Sequence, residues 1–415
     1  MLTRLSVLAL ALAAGTALAD EYQLIPVPAF PGIGIPECYL RDIDNHNIAV
    51  GTSTVTTQDA QGNYHGGYTG ITWTESAGKA VIDNNSYPTG ISDTGWVSGL
   101  GAVTHLPTGQ VYHPPTLPGT FGAASLLGIN DAGTAVGFIQ TCICSNSQHL
   151  QQVPYIWDAA NGARTISLAN AKELVKINNS GIAVGNTRAS GGVGDGFVYD
   201  SNTGATILLS SVLPPPPPGV VYTIVAADIN DSGTVTGYIR ENTTAHNIGF
   251  TWSASSGTTL MSPPIGAGYG EDVRPASINS SGVVVGTIGF SPGGSRPFIY
   301  DAARGVRDLA TLTTPTITFS YWYASSVNNA GWITAYGASG SGFAAAILKP
   351  AAPVCYANCD QSSAAPVLNA NDFQCFLNQF AAGEASANCD QSTTAPTLNA
   401  NDFQCFLNAF AAGCA

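Results

Sequence analysis

The sequence predicts an all-β fold, a seven-bladed β-propeller, followed by a small α-helical, disulfide-rich module. The main observation is a motif that recurs seven times: an apolar residue, Asn or Asp, a short polar turn, Gly and a β-branched run. The copies begin at Ile43, Ile91, Ile129, Ile177, Ile229, Ile278 and Val327. Successive starts lie 38 to 52 residues apart, which is the length of one propeller blade. A composition of 47 Gly and 25 Pro with 9% charged residues is typical of such a turn-rich β protein.

Each copy also contains the strands that a blade needs. Two β-rich runs joined by a polar turn that ends in Gly predict a hairpin. A third, aromatic strand follows, such as Gly249-Phe-Thr-Trp, and then a fourth run, such as Val306-Arg-Asp-Leu. Four short strands in each of seven units indicate a propeller. The alternative, a β-solenoid, usually has shorter and more uniform repeats.

The ends of the repeat region predict how the ring closes. The seventh copy ends at Ala344-Ala-Ala-Ile-Leu-Lys349 without a fourth strand of its own. A strand of the same type, Tyr22-Gln-Leu-Ile-Pro-Val, stands alone before the first copy. We therefore expect the N-terminal strand to complete the last blade, which would leave no open sheet edge.

The N-terminus predicts export. Arg4 precedes a short apolar run that ends at Ala17-Leu-Ala19, the pattern of a signal peptide over residues 1–19. We expect a secreted or extracellular mature chain, with disulfides permitted and no membrane span. A net charge of −13 without a basic stripe argues against nucleic acid as a partner.

The repeats, read as Ile-Asn-x-x-Gly-x-Val-Val-Gly followed by an aromatic-Trp strand, resemble the HAF family of extracellular bacterial repeats. The copies at Ile129, Ile229 and Ile278 match best, and the resemblance covers most of residues 38–348. Copy two has Ala102-Val-Thr-His in place of the aromatic-Trp strand. The resemblance implies a secreted propeller-like domain (residues 20–350) and no defined reaction.

The C-terminal residues 351–415 contain one unit written twice, from Asn358 and from Asn388. This region resembles the dockerin-like module of GC-type dockerin domain-anchored proteins. The residues that match are Asn-Cys-Asp, then Asn-Asp-Phe-x-Cys-Phe, and then Gly413-Cys414. The resemblance implies an anchoring module that attaches the chain to the cell surface or to an extracellular assembly. Its partner would be an unknown protein receptor, either cohesin-like or part of a sorting machinery.

The tail also predicts two short helices from its own residues. One apolar stripe, repeated in the second unit, has the spacing i, i+3, i+4 and i+7. Its residues are Phe373, Phe376, Leu377 and Phe380, then Phe403, Phe406, Leu407 and Phe410. The two helices can bury these stripes against each other.

Oxygen-bearing residues at alternate positions of each tail unit, with a later carboxylate, indicate weak calcium binding. The candidate ligands are Asn358, Asp360, Ser362 and Asp372, then Asn388, Asp390, Ser392 and Asp402. The late carboxylate falls three residues beyond its usual place in an EF-hand-like loop. The alternative is that these residues cap helices and form Asx turns.

Six of the nine cysteines lie in the tail, which favours a disulfide framework. The symmetry of the units suggests three pairs: Cys359–Cys375, Cys389–Cys405 and Cys355–Cys414. The others, Cys38, Cys142 and Cys144, would give one bridge and one free thiol.

For the propeller, the sequence contains neither Gly-x-Ser-x-Gly nor His-Glu-x-x-His, and we assign no catalytic residue. We expect a binding or scaffold domain for a glycan or a protein. Tyr321-Trp-Tyr323 and Tyr64 could stack on a ligand, although Tyr321-Trp-Tyr323 could equally be a core strand. The alternative is a polysaccharide-acting enzyme, a glycoside hydrolase or lyase, for which the loop carboxylates to test are Asp195, Glu271 and Asp272. We interpret the Asn-Asp-x-Gly turns as structural.

Overall fold

A computed structural model describes the chain in the following ranges: residues 21–30, 35–58, 64–82, 87–142, 150–188, 193–242, 246–266, 269–290, 294–315, 321–339, 342–351, 357–360, 362, 366–390, 392 and 395–413. The predicted signal peptide lies outside these residues, as do Cys144, Cys355 and Cys414. The chain divides into two compact units, residues 1–350 and residues 351–415.

The first unit is a seven-bladed β-propeller, as predicted. Strand β1 (Tyr22–Val27) precedes blade 1, whose strands are β2 (Cys38–Ile43), β3 (Ala49–Gln58), β4 (Tyr64–Thr74) and β5 (Gly78–Ile82). Blade 2 has β6 (Pro88–Ile91), β7 (Trp96–Gly99), β8 (Val103–His105) and β9 (Gln110–Tyr112). Blade 3 has β10 (Thr120–Ile129), β11 (Ala135–Cys142), β12 (Leu150–Asp158) and β13 (Gly162–Arg164). Blade 4 has β14 (Ala171–Ile177), β15 (Ile182–Thr187), β16 (Gly196–Asp200) and β17 (Thr206–Leu208).

The remaining blades follow the same order. Blade 5 has β18 (Tyr222–Ile229), β19 (Val235–Glu241), β20 (Asn247–Ser253) and β21 (Gly257–Met261). Blade 6 has β22 (Tyr269–Ile278), β23 (Val284–Phe290), β24 (Gly294–Asp301) and β25 (Gly305–Asp308), and the two-residue strand β26 (Thr313–Thr314) follows it. Blade 7 has β27 (Trp322–Val327), β28 (Ile333–Ser339) and β29 (Gly342–Pro350). Short 3-10 helices occur at Leu209–Ser211 and Leu309–Thr311.

The ring closes through the N-terminal strand, as predicted. β1 pairs antiparallel with β29 over its whole length, from Tyr22 opposite Pro350 to Val27 opposite Ala345. β26 pairs in parallel with the other edge of β1. Arg307 of blade 6 also donates to the carboxylate of Glu21 at 2.6 Å. The first and last parts of the propeller are therefore joined in one sheet.

The Gly at the end of the motif is explained by a close approach of the first two strands of the blade. In blade 1 the pairing of β2 with β3 shifts between Leu40 and Asp42, which marks a bulge in the inner strand. A Cβ on Gly51 of β3 would overlap the carbonyl oxygen of Tyr39 beside this bulge. Gly137 meets the carbonyl of Ser125 in the same way in blade 3. The sequence pattern therefore encodes the close approach of the first two strands.

The second unit contains two helices, α1 (Ala370–Ala382) and α2 (Ala400–Ala412), with a 3-10 helix at Ala385–Ala387. The rings of Phe376 and Phe406 stack with centroids 4.2 Å apart, and both side chains are buried. Leu377 does not take part in the predicted stripe in the same way, because its side chain is 43% exposed.

One disulfide links each tail helix to the loop that precedes it in the sequence. The structure contains Cys359–Cys375 and Cys389–Cys405, each closing a loop between residues 16 positions apart. These are the two within-unit pairs that the symmetry of the units suggested. In the propeller, Cys38 is a buried free thiol.

Candidate functional site

The first strands of the blades run along a central channel that has two different mouths. The strand ends carry the Asn-Asp-x-Gly turns and enclose a cavity of about 130 Å³ that is lined by residues from all seven blades. We call this end the asparagine mouth. The strand starts surround a larger cavity of about 510 Å³, lined by Arg41, Tyr87, Tyr323 and Tyr336 among smaller residues.

Five asparagines in blades 3 to 7 form a chain of hydrogen bonds around the asparagine mouth: Asn130, Asn178, Asn230, Asn279 and Asn328. Each Nδ2 donates to the backbone carbonyl of the equivalent residue in the next blade, at 2.8 to 3.1 Å. Each Oδ1 accepts from the backbone N–H four residues further on. One side chain therefore closes its own turn and joins two blades. We call this set the asparagine ladder.

A second ring lies one residue further along the chain, at the rim of the same mouth. There a backbone N–H of one blade donates to a side-chain oxygen of the next blade, at 2.8 to 2.9 Å. The accepting residues are Asn45, Asp93, Asp131, Asn179, Asp231 and Asn329. The rim side chains thus also connect neighbouring blades.

Blade 1 carries Asp44 where blades 3 to 7 carry an asparagine. Its Oδ1 accepts from the backbone N–H groups of His46 and Ile48, as in the other blades. Its Oδ2 is buried and has no hydrogen-bond partner among the residues that the structure describes. Burial raises the pKa of Asp44 to about 6, because the charged form is poorly solvated there.

Charged groups cross the channel below the turns. Lys176 of blade 4 donates to Asp42 Oδ2 at 2.6 Å, and Ser326 of blade 7 donates to Asp42 Oδ1 at 2.6 Å. Burial opposes the charge of Lys176, but the carboxylates of Asp42 and Asp228 raise its pKa overall. Burial raises the pKa of Asp228. This cluster ties opposite sides of the channel together.

The asparagine mouth is therefore a structural centre. Its polar side chains are used in contacts between blades, which agrees with the interpretation of these turns as structural. Within the described ranges, no group of three or more His, Cys, Asp or Glu residues could hold a metal ion. The asparagine ladder was not predicted from the sequence. Its signal there is the Asn that directly follows the apolar residue in five copies of the motif.

The opposite mouth has the character of a binding site. The 510 Å³ cavity adjoins a second cavity of about 440 Å³, and the two share Tyr323. The second cavity is also lined by Tyr321, Asp272 and Arg274. We call the two together the tyrosine groove, with Tyr87, Tyr321, Tyr323, Tyr336 and Arg41 as its defining residues.

The aromatic rings of the groove support one another. Tyr323 stacks on Tyr336 with centroids 5.2 Å apart, and Tyr39 contacts the edge of Tyr336 at 5.4 Å. Tyr321 and Tyr87 are 45% and 43% exposed, so their rings are open to a ligand. Aromatic faces beside a cavity of this size can hold the apolar faces of sugar rings or of a peptide.

An exposed hydrogen-bond network lies beside Tyr87, whose ring centroid is 5.9 Å from that of Tyr68. Tyr68 donates its hydroxyl to Glu37 at 2.5 Å, and Tyr39 is hydrogen-bonded to the same carboxylate. The bond to Glu37 raises the pKa of Tyr68, while burial and Glu37 raise the pKa of Tyr39 to about 12. Both hydroxyls therefore remain donors at neutral pH, and the carboxylate of Glu37 is occupied by them.

The predicted aromatic cluster divides between the core and the groove. Trp322 is 3% exposed and packs in the core of blade 7. Its neighbours Tyr321 and Tyr323 point to the other face of the strand and line the groove. Tyr64 lies in β4, but its side chain is outside the described part of the structure. Trp322 is therefore a core residue, whereas Tyr321 and Tyr323 lie where they can stack on a ligand.

Two of the three predicted loop carboxylates, Asp195 and Asp272, do not converge. Asp272 lines the groove, where Arg274 Nη2 lies 2.7 Å from its Oδ2 and Asn247 donates to its Oδ1. Asp195 instead accepts from the backbone N–H and the hydroxyl of Ser210, a local contact in blade 4. Glu271 lies in β22, with its side chain outside the described residues.

In the tail, the first predicted calcium loop is held by its own hydrogen bonds. Asp372 is fully buried; its Oδ2 accepts from the N–H of Asn369 and its Oδ1 from that of Asp360. Asp360 accepts from the N–H of Ser362, which forms an Asx turn. The amide of Asn358 donates to the carbonyl of Ser362, while its buried Oδ1 has no hydrogen-bond partner among the described residues.

The second loop has the same arrangement with one difference. Asp402 accepts from the N–H groups of Asn399 and Asp390, and Asp390 accepts from that of Ser392. Here the Oδ1 of Asn388 accepts from Ser392 at 3.1 Å, so it has a partner. The aspartates thus serve as caps and turn formers, and they also place two carboxylates side by side in each unit.

The comparisons with known proteins concern the fold. No protein-family model matches the chain, and no curated protein sequence matches it. Among solved structures, TolB from Acinetobacter baumannii is 12% identical (TM-score 0.38), and the match covers 62% of each chain. An acylaminoacyl peptidase from Pyrococcus horikoshii is 13% identical (TM-score 0.46; 72% of this chain, 49% of that one). An oligogalacturonate lyase in complex with manganese is 9% identical (TM-score 0.48; 80% and 98%).

This chain therefore spans less than two thirds of the first two structures that it resembles. At these identities the likenesses concern the propeller fold alone. They carry no conclusion about a ligand or a reaction. No helix in the described part of the chain is long and apolar enough to cross a membrane.

Proposed function

We propose that this protein is an extracellular carbohydrate-binding propeller that is attached to a cell surface or an extracellular assembly through its C-terminal unit. The observation that carries the proposal is the tyrosine groove. It joins two cavities of about 510 and 440 Å³ at one mouth of the channel. Exposed tyrosine rings at Tyr87 and Tyr321 stand at its two sides.

The chemistry of the groove suits a sugar. Pyranose rings bind proteins through stacking on aromatic faces and through hydrogen bonds to hydroxyl donors and acceptors. The groove supplies aromatic faces together with Thr52, Thr89 and Thr287, whose side chains are small and polar. A protein ligand would instead need a broad surface, because stable protein interfaces bury roughly 800 Å² on each partner.

Glycan binding by the purified chain and two variants tests this function. The chain is assayed on immobilised oligosaccharides. Replacing Tyr87 or Tyr321 with Ala is expected to weaken binding by about 1 to 2 kcal/mol per residue, because each change removes one stacking face. The control is Leu260→Ala, which removes an exposed apolar side chain from β21 in blade 5. Equal binding by all three variants would contradict the assignment of the groove.

The alternative is that the same groove belongs to a polysaccharide-acting enzyme. Hydrolysis of a glycosidic bond ordinarily uses two carboxyl groups that flank the bond. Among the described residues that line the two cavities, Asp272 is the only carboxylate, and Arg274 and Asn247 hold it. Binding therefore has more support than catalysis. Release of reducing ends or of unsaturated products from any bound glycan would reverse this order.

For the C-terminal unit, we propose the attachment function that its dockerin-like residues imply. The unit would bind a protein receptor, and calcium would hold its two loops. Among the described residues of the unit, none donates to the buried Oδ1 of Asn358, which leaves the lone pairs of this oxygen for a cation. Backbone donors lower the pKa of Asp360 and, against the effect of burial, that of Asp402, so these carboxylates stay charged. The oxygen-only donor set suits calcium, and two carboxylates per loop suit a weak site.

A further inference from the structure

We propose that the ligand of the tyrosine groove is an acidic oligosaccharide whose carboxylate binds to Arg41. The inference rests on the carbohydrate-binding function proposed above and specifies its ligand. It is based on the charge of the groove, on the contacts of Arg41, and on the position of Arg41 relative to the tyrosines.

The groove has a different charge from the rest of the chain. The chain carries a net charge of −13. In contrast, the charged residues that line the two cavities are Arg41, Arg274 and Asp272. Arg274 and Asp272 form a close ion pair at 2.7 Å and cancel each other. Among the described residues that line the two cavities, the net charge is therefore one positive charge, that of Arg41.

The guanidinium of Arg41 contacts two aromatic rings. Its Cζ lies 5.4 Å from the ring centroid of Tyr39 and 5.3 Å from that of Tyr336. Among the described residues no carboxylate pairs with this guanidinium, and the side chain is exposed. The carboxylate of Glu37 is hydrogen-bonded to the hydroxyls of Tyr68 and Tyr39. Arg41 therefore offers its N–H donors to an incoming anion.

The position of Arg41 matches the shape of a uronic acid. Arg41 and Tyr87 line one cavity with Tyr323 and Tyr336, so a charged fork and several aromatic rings face the same volume. A sugar carboxylate projects from the edge of the pyranose ring, while the ring face is apolar. Such a ligand could therefore stack on a tyrosine while its two carboxylate oxygens accept hydrogen bonds from the guanidinium in a bidentate pair.

Four matched ligands test the inference on the full chain by isothermal titration or microscale thermophoresis. They are a 1,4-linked uronic acid tetrasaccharide, its methyl ester, a neutral hexose tetrasaccharide and a sulfated one. We expect the uronic acid to bind about tenfold or more tightly than its ester, which has the same size without the charge. Binding should also weaken with added salt. A sulfated ligand that binds more tightly than the uronic acid would overturn the carboxylate assignment.

Variants of Arg41 decide whether this residue is responsible. In Arg41→Gln the preference for the acid over the ester should disappear, whereas Arg41→Lys should retain part of it, because charge remains but the fork is lost. The control is Arg240→Gln, since Arg240 is exposed in blade 5 outside both cavities. Thermal unfolding checks that each variant is folded. If Arg41→Met is folded and still prefers the acid, the inference is wrong.

The outcomes separate this inference from the proposed function. Equal binding of acidic and neutral sugars, weakened by Tyr87→Ala, would leave the carbohydrate function standing and overturn the role of Arg41. No binding of any of the four sugars, together with no effect of the tyrosine variants on other glycans, would overturn both.

Discussion

Asp44 occupies the position at which blades 3 to 7 have an asparagine, and it shows how one atom changes the energetics of the ring. An asparagine Nδ2 donates to the next blade, but the Oδ2 of Asp44 can donate only when the carboxyl group is protonated. This oxygen is buried without a partner among the described residues. The raised pKa of about 6 shows that burial favours the protonated carboxyl group, which is a hydrogen-bond donor, over the charged carboxylate.

We predict that Asp44→Asn stabilises the propeller at neutral pH. The pKa of Asp44 is about 6 in the folded chain against an ordinary value of 3.8. The folded state therefore binds the proton more tightly, and the contribution of Asp44 to stability falls as the pH rises from about 4 through 6. Asparagine lacks this dependence and supplies a donor. We expect a gain of about 1 to 2 kcal/mol at pH 8, which shrinks toward pH 4.

Urea unfolding of both proteins between pH 4 and pH 8 measures this difference. The other titratable group nearby is His46, whose Nδ1 lies 3.7 Å from Asp44 Oδ2, and Asp93 is the nearest further carboxylate that acts on Asp44. The comparison variant is His46→Gln. His46 lowers the pKa of Asp44, so this variant should still lose stability as the pH rises through 6, and at least as steeply as the parent. The idea fails if Asp44→Asn is less stable than the parent at pH 8.

At the scale of single elements, the tail helices show how capping and metal binding can use the same residues. Asn369 and Asp372 form a capping box at the start of α1, and Asn399 and Asp402 form one at the start of α2. The sequence predicted both the helices and the acidic residues at their positive ends. It could not decide between caps and calcium ligands, because a cap oxygen retains lone pairs that a cation can also use.

We predict that the full chain binds two calcium ions, one for each tail unit, with dissociation constants of about 0.1 to 1 mM. Equilibrium dialysis counts the ions. Asp360→Asn should leave one bound ion, and the double change Asp360→Asn with Asp390→Asn should leave none. Glu384→Gln, an exposed acidic residue between the two helices, should leave both. Two ions bound by the double variant would show that these loops are not the sites.

Individual strands also show the limits of sequence reasoning. The periodic motif predicted the strand pairs of every blade, because hairpin signals are local. The groove was predicted only through Tyr321 and Tyr323, since Arg41 and Tyr87 come from other blades and meet these tyrosines only after the ring has closed. Asp195 and Asp272 illustrate the same limit: each is a loop carboxylate in the sequence, yet they make separate local contacts.

For the whole molecule, closure of the ring decides how the blades share stability. The asparagine ladder passes from Asn130 around to Asn328, which donates to the carbonyl of Asp44 at 2.8 Å. Lys176 and Ser326 also reach Asp42 from distant parts of the chain. The contacts of Asn328 and Ser326 can form only if blade 7 stands next to blade 1. The N-terminal strand, which completes blade 7, therefore supports the hydrogen bonds at the centre as well as the sheet at the edge.

We predict that a chain without residues 21–27 unfolds at a lower temperature and associates with itself. The deletion removes the buried side chains of Tyr22 and Val27 and exposes the edge of β29, and an unpaired edge is a template for pairing with another chain. Differential scanning calorimetry and light scattering measure the two effects. A synthetic peptide of residues 21–27 should bind the shortened chain and restore both properties, whereas a Val27→Asp peptide should not, because it would bury a charge. A shortened chain that stays monomeric with an unchanged melting temperature would mean that the propeller holds together without the strand, through the contacts at the channel alone.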